Sequence, residues 1–387
     1  MNKTKAIRAA RAFEFYVKRV WPLHRKLAGS KLSRRCRRCA ASEKMVPLDD
    51  DGVCELCLQP TPDATQASAE TDARDAALLG DILKRAQGAG AGQYDALLLY
   101  SGGKDSSYLA RRIQEEFPRL RMLAMTTDNG FMSPVAKENI EFLVPKLGMD
   151  HLFIRPRKDF YRKLFAYALT HLNAEGGYGT ADFSDGEFTL DTARNLAAEK
   201  SIPLILCGYS RYQVQNGLKL NDFEYPREAM RADRTETAGM PLKDIFDQDE
   251  MALWWHGSRW PEERIPRLLF PLYGWNLEES EILDKVKAWG LVVPKSHSPI
   301  VTNHQLIPLI GVVDVHRFGY SSFEKEFCRM IREGKADAQH WRHVFEFLEY
   351  AAKTGMFVKA ATLDSLEQLG LTPQEVGIRF EGLRVCP

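Results

Sequence analysis

The sequence predicts an α/β protein: a parallel sheet with helices on both faces, preceded by a small cysteine-built module and followed by a mostly helical region. Three observations carry that prediction. Short apolar runs alternate with helix-length stretches between residues 96 and 200, a glycine-rich turn follows the first run, and two Cys-x-x-Cys pairs stand ahead of it. Strands alternating with helices at this spacing are the pattern of βαβ units, whose parallel sheets are covered on both sides.

From Met1 to Arg38 the chain carries thirteen Lys or Arg and one acid, Glu14. Ala9, Phe13, Tyr16, Val17, Val20 and Trp21 recur at helical spacing, so the segment reads as a basic amphipathic helix. Its apolar stripe is expected to pack on the body of the protein. The competing reading is an arm for nucleic acid, an anionic surface or an acidic partner.

Cys36-Arg-Arg-Cys39 and Cys54-Glu-Leu-Cys57 are separated by fourteen residues, with Asp50-Asp51-Gly52 supplying a turn before the second pair. Each pair can chelate through a tight turn, and four thiolates close a tetrahedral Zn²⁺ site with no open position. The expected role is therefore structural, with redox or iron–sulfur chemistry as the alternative. Arg34, Arg35, Arg37 and Arg38 would offset the charge of the thiolates. Cys207 and Cys328 read as buried, inert thiols, and Cys386 lies beside the C-terminus.

Residues 61–75, rich in Pro, Thr, Ala and Ser, read as a linker. The expected domains are thus 1–60, a sheet domain over 76–235 and a mostly helical region over 236–387. A helix is expected over Asp72–Gln87, broken at Gly88–Gly92. Strands are expected at Ala96–Tyr100, Arg121–Thr126, His151–Ile154 and Ile202–Cys207. Helices are expected at Asp105–Phe117, Val135–Leu147, Phe160–Leu172 and Leu190–Lys200.

Ligands of such sheets bind beyond the carboxyl ends of the strands, which singles out three loops. The first, Ser101-Gly102-Gly103-Lys104-Asp105-Ser106, joins an apolar strand to a helix start. Glycines let the backbone approach a ligand there, while exposed N–H groups and the helix dipole favour a phosphate. It is not the Walker pattern, because Lys104 is followed by Asp105. The second is Thr127-Asp128-Asn129-Gly130; Asp128 suits a ribose hydroxyl or Mg²⁺, although Asp-Asn-Gly is also an ordinary turn. The third begins at Gly208.

Later segments read more plainly. Asn216–Arg234 suggests a mobile loop over the site. Trp254, Trp255, Trp260 and Trp275 read as core anchors. Asp185 and Glu187 suit either a cation or a capped helix start, and His297, His304 and His316 follow no metal spacing. Glu278–Trp289, Ser321–Gly334 and Asp337–Thr354 read as helices, and Thr372-Pro373 as a further helix start.

Hydrophobic residues make up 44% of the 387 and charged ones 27%, with net charge +1, as in ordinary globular proteins. No apolar run approaches the ~20 residues that span a bilayer, and the first 30 residues lack an apolar signal core. The expectation is a cytoplasmic protein.

Ser101–Ser106 resembles the PP-loop of the ATP pyrophosphatase superfamily, which cleaves ATP between the α and β phosphates. That resemblance implies a Rossmann-like (HUP-type) sheet and bound ATP with Mg²⁺. It places Ser101, Gly102, Gly103, Lys104, Asp105 and Ser106 at the phosphates, with Lys104 and Asp105 as the catalytic pair. Thr127, Asp128 and Gly208 would border the nucleotide. The cysteine pairs, the Asp-Gly turn and the loop about forty residues later are similar to N-acetyl sugar amidotransferases of surface-polysaccharide synthesis. So are Pro203–Gly208 and the stretch from Phe270 through Trp275. The chain departs from that family in reading Gly208-Tyr209-Ser210 where Gly-Glu-Asn is usual, and in its basic N-terminal helix.

The likeness implies adenylation of a carbonyl or amide oxygen of a small-molecule acceptor, then displacement of AMP by ammonia. The chain carries no glutaminase cysteine at position 2, so ammonia would come free or from a separate glutaminase subunit. The alternative is sulfur transfer to a tRNA base or a small amide, with tRNA the less favoured partner. No Cys-x-x-Cys follows the loop, and Cys207 is the only thiol near the expected nucleotide edge.

Overall fold

The computed structural model describes residues 8, 11–59, 66–277, 279–291 and 304–380. His297, Cys386 and residues 61–65 of the expected linker lie outside the described residues; residues 66–75 of that linker are instead the first turns of a helix over Gln66–Ala86, which starts six residues before the expected Asp72. Five parallel strands form the central sheet: β1 (Ala96–Leu99), β2 (Met122–Thr127), β3 (Asp150–Ile154), β4 (Leu204–Leu206) and β7 (Arg267–Leu269), ordered β3-β2-β1-β4-β7. A two-stranded hairpin, β5 (Glu236–Thr237) and β6 (Met240–Pro241), stands apart. β1 is apolar throughout because it is central, pairing with β2 on one side and β4 on the other.

The strand order reverses at β1, since the chain passes from β1 outward to β3 and returns to β4 on β1's other edge. Crevices at such switch points open at the carboxyl ends of the strands. The helices Lys104–Glu116, Pro134–Lys146 and Phe183–Lys200 supply apolar side chains such as Leu109, Ile113, Ile140, Leu143 and Leu190 to the sheet core. A second cluster joins Phe160, Phe165, Phe188 and Trp254 to Leu309 and Val313 of the helix Ile307–Phe318.

The fifth strand was not expected. Arg267–Leu269 is three residues between Pro266 and Phe270, too short to show a period, and only pairing with β4 makes it a strand. The expected helix at Leu190 begins at Phe183, after a π-helical turn over Tyr178–Asp182. Gly179, Ser184 and Gly186 hide that start, since all three are poor helix formers.

Asn216–Arg234 is pinned rather than loose. Glu224 pairs with Arg267 (2.6 Å), Arg227 with Glu262 (2.7 Å), and Arg234 with Glu187 and Asp191. Thr372 does accept the Glu375 amide in a capping-box pattern, but only turns follow, so no helix starts there. Trp254 and Trp255 are fully buried core anchors, whereas Trp260 and Trp275 are only half-buried at the edge of the sheet core.

The N-terminal helix packs on the C-terminal helices. Phe13, Val17 and Trp21 join Val344, Phe345 and Phe347 of the helix Ala338–Thr354 in one buried cluster with the cysteine module. Arg35 crosses this junction wholly buried, pairing with Glu324 (2.6 Å) and Glu349 (3.0 Å). Arg25 bonds Glu346 at 2.6 Å. Of the four arginines expected to offset the thiolates, Arg35 is thus spent on Glu324 and Glu349 instead.

Candidate functional site

The phosphate-type loop is built by the end of β1 and the start of the helix Lys104–Glu116. Ser101 and Ser106 face each other across the turn, their hydroxyls 3.2 Å apart, and the Ser101 hydroxyl accepts the Gly103 N–H at 3.3 Å. Ser106 in turn donates to the Gly103 carbonyl. Three side-chain bonds thereby hold the turn at the helix start, where the first N–H groups have no partner inside the helix. Tyr100 and Ser107 hydroxyls, 3.0 Å apart, brace it from below.

Gly102 holds a left-handed φ of +71°. A Cβ there would lie 2.6 Å from Ile140 Cγ1 and 3.1 Å from the Ala136 carbonyl. Gly102→Ala is therefore expected to cost about 1–3 kcal/mol and to displace the loop. Thermal melting checks this: the Tm of the variant should fall below that of the wild type.

The loop opens on a cavity of about 830 Å³ whose wall includes Ser101, Gly103, Asp105, Ser106, Thr127, Cys207 and Gly208. Gly208 brings the end of β4 against the helix start, since a Cβ on it would stand 3.4 Å from the Ser106 amide. Thr127 Oγ1 is buried and has no hydrogen-bond partner, so a donor or acceptor on a ligand has a place to bind. Lys104 reaches both oxygens of Asp105, at 2.8 and 2.9 Å, while their side chains remain partly exposed.

Asp128, expected beside the nucleoside, has a fully buried side chain engaged by Arg155 and by Lys137 (3.1 Å). Its other oxygen accepts the Gly130 amide at 3.0 Å. Burial pushes this carboxyl's pKa up, but the bonds from Arg155, Gly130 and Lys137 outweigh it and hold the group below its ordinary value. Asp128 thus shapes its loop, and Thr127 and Asn129 are the members that reach the cavity.

The far side of the cavity joins Asp185 and His304, which the sequence singled out separately, to Asp182, Lys325 and Glu326, which no motif announced. Asn129 donates to Asp185 at 2.6 Å, and His304 lies 3.5 Å from the same carboxylate. Burial, opposed by His304 and reinforced by Asp185, pushes Asp182 up to about 6. Glu187 is fully engaged by Arg234, Thr237 and the Ala238 amide, which assigns it to structure. Lys325 and Glu326 also reach the wall, although their segment looked like plain amphipathic helix. His316 bonds the Ala352 carbonyl.

Away from this cavity, the ligating atoms of Cys36, Cys39, Cys54 and Cys57 all lie within 4.8 Å of one another. Two sulfur pairs are 3.5 and 3.8 Å apart, close to the ~3.8 Å edge of a tetrahedron with ~2.3 Å Zn–S bonds. The Cys54 amide donates to Cys36 Sγ at 3.3 Å. This cluster fits a metal site. Cys328 is buried beside Cys39 but stands outside the quartet.

The chain is thus a parallel α/β protein with a serine-glycine loop at the carboxyl edge of its sheet and a separate four-cysteine centre. No family model matches it, and no curated protein matches it. Among solved structures it is similar to the U34-tRNA thiolase NcsA from Methanococcus maripaludis with its 4Fe-4S cluster, at 15% identity over 92% of each chain and TM-score 0.39. It is also similar to NMN synthetase from Francisella tularensis, at 11% identity over 78% of this chain and 97% of that one, TM-score 0.38. NH3-dependent NAD synthetase from Campylobacter jejuni matches at 12% identity, with the same coverage and TM-score 0.33. At scores this low, function must be argued from the chain's own residues.

Proposed function

We propose that the protein is an ATP-dependent adenylating enzyme of the PP-loop type, and that ammonia completes its reaction. The Ser101–Ser106 cradle, set at a helix N-terminus and open to the cavity, is the observation that carries this reading. The acceptor's carbonyl or amide oxygen attacks the α phosphorus, and the bond to the bridging oxygen breaks. Pyrophosphate leaves into the loop. Ammonia then adds to the activated carbon, AMP departs with the former acceptor oxygen, and the nitrogen sheds its extra proton to solvent.

Ser101, Gly102, Gly103 and Ser106 would hold the departing phosphates, and Lys104 would neutralise their charge. Asp105 is the loop's own carboxylate and would hold Lys104 in place. Mg²⁺ bound with ATP would supply further charge neutralisation. Thr127 and Gly208 would border the nucleoside, over the loop that Asp128 shapes. The four cysteines are read as a closed, structural Zn²⁺ site, because the short sulfur separations suit one ion better than a cubane cluster.

Ammonia is favoured over sulfur by Cys207. It is the thiol on the cavity wall, yet it is 2% exposed, and burial pushes it up to about 12, only partly offset by a backbone bond from Tyr209. A thiol kept protonated is a poor nucleophile and sulfur carrier. A small acceptor is favoured over tRNA by the lining. Apart from the loop that would take the nucleotide, the wall carries Glu175, Asp182, Asp185, Glu236 and Glu326 against Lys219 and Lys325, which does not suit a long polyanionic acceptor.

Turnover with acceptor and ammonium should yield AMP and pyrophosphate; ADP and phosphate would overturn the reading. Cys207→Ser should keep ammonium-dependent turnover within about twofold of wild type, since a small buried hydroxyl replaces a thiol that does no chemistry. Loss of activity in that variant alone, with its Tm preserved, would transfer the assignment to sulfur.

A further inference from the structure

The N-terminal helix uses only half of its circumference on the fold. Phe13, Val17 and Trp21 are buried against the C-terminal helices. Phe15 and Leu23 on the helix, and Leu27 in the turn that follows it, are 64%, 70% and 86% exposed and rank among the most exposed large apolar side chains described. Arg8, Arg11, Arg19 and Lys26 stand among them, all exposed. Glu14, the one acid before Arg38, is taken by Lys18 at 2.9 Å. The outward face is therefore apolar and cationic with no free carboxylate.

We propose that this face is a peripheral docking surface for an anionic lipid bilayer. A helix held flat by its inner stripe presents its outer stripe parallel to a plane, which is how interfacial helices lie. Phe15, Leu23 and Leu27 would enter the acyl boundary while the arginines and Lys26 meet the headgroups. Each basic residue near the surface adds attraction to anionic lipid. A nucleic acid would use the charges but leave exposed leucines without a role. No described helix is long and apolar enough to cross a membrane, so attachment would be to the surface.

Cosedimentation of the full chain with vesicles tests this. Binding is expected to vesicles of phosphatidylcholine mixed with phosphatidylglycerol, to weaken with added salt, and to be absent with phosphatidylcholine alone. Leu23→Ser/Leu27→Ser should reduce it about tenfold or more, because two anchors are lost from a marginal attachment. Arg19→Glu/Lys26→Glu should reduce it independently. All four residues are exposed, so Tm and pyrophosphate release should stay at wild-type values. The proposal fails if the chain ignores anionic vesicles, or if the double leucine variant binds them as wild type does. Retention on poly(U) RNA that is insensitive to the leucine changes, without vesicle binding, would give the face to nucleic acid instead.

Discussion

Lys104→Ala is expected to lower kcat/KM for pyrophosphate release by about 10²–10³-fold, the usual cost of removing one preorganised charge or donor from a transition state. Lys104 sits at the first turn of the helix behind β1, on the loop where negative charge would build as pyrophosphate departs. Its partner is Asp105, 2.8 Å away, and both side chains are partly solvent-exposed. The pair therefore contributes little to stability, and the Tm of the variant should match wild type. Asp105→Asn should show a smaller loss, through misdirection of the lysine. Activity retained in both, measured as pyrophosphate release at saturating ATP, would remove the loop from the chemistry.

The second large effect is expected at the cysteines. Cys54→Ser should lose the bound metal and cost about 4–5 kcal/mol or more, because loss of a structural metal belongs to the few mechanisms that reach that size. Cys36, Cys39 and Cys54 are fully buried among Val17, Trp21 and Phe345. Cys36 and Cys39 would be stranded there uncoordinated, with half-buried Cys57 at the edge, and the packing of the N-terminal helix depends on the same cluster. Elemental analysis should give one zinc per chain in wild type and none in the variant, alongside a marked drop in Tm. Cys328→Ala provides the contrast. It removes a thiol that touches Cys39 yet stands outside the quartet, so the metal should stay. A Cys54→Ser protein with unchanged melting would dismiss the structural role.

Much of the fold could be read from the chain because it is written in local pattern. Four of the five strands are apolar runs, and each was placed within about two residues of its observed bounds, the usual slack of element ends. The cysteine quartet was legible from spacing alone. What escaped was set by tertiary contact. Arg267–Leu269 has no period of its own, and the helix over Phe183–Lys200 begins among glycines that only burial makes helical.

The loop Ser101–Ser106 was legible because six consecutive residues carry it. The far wall was not. Asp182, His304 and Lys325 come from three separated segments, and nothing but the folded arrangement brings them to one cavity. Asp128 shows the opposite limit. Its place at the end of β2 was clear, but the cations that claim its carboxylate, Lys137 and Arg155, lie on later elements.

The tie between Arg35 and its two acids has a consequence for how the chain is made. Its partners Glu324 and Glu349 are 289 and 314 positions downstream. During synthesis the cysteines emerge well before the surface that buries them, which lies hundreds of residues downstream. The nascent chain must therefore carry Trp21, Val17 and an unpaired guanidinium uncovered while most of the protein is still being added. Contacts of such long range are costly to close and leave sticky surface open to wrong partners. Early capture of a metal would keep the first sixty residues compact through that interval.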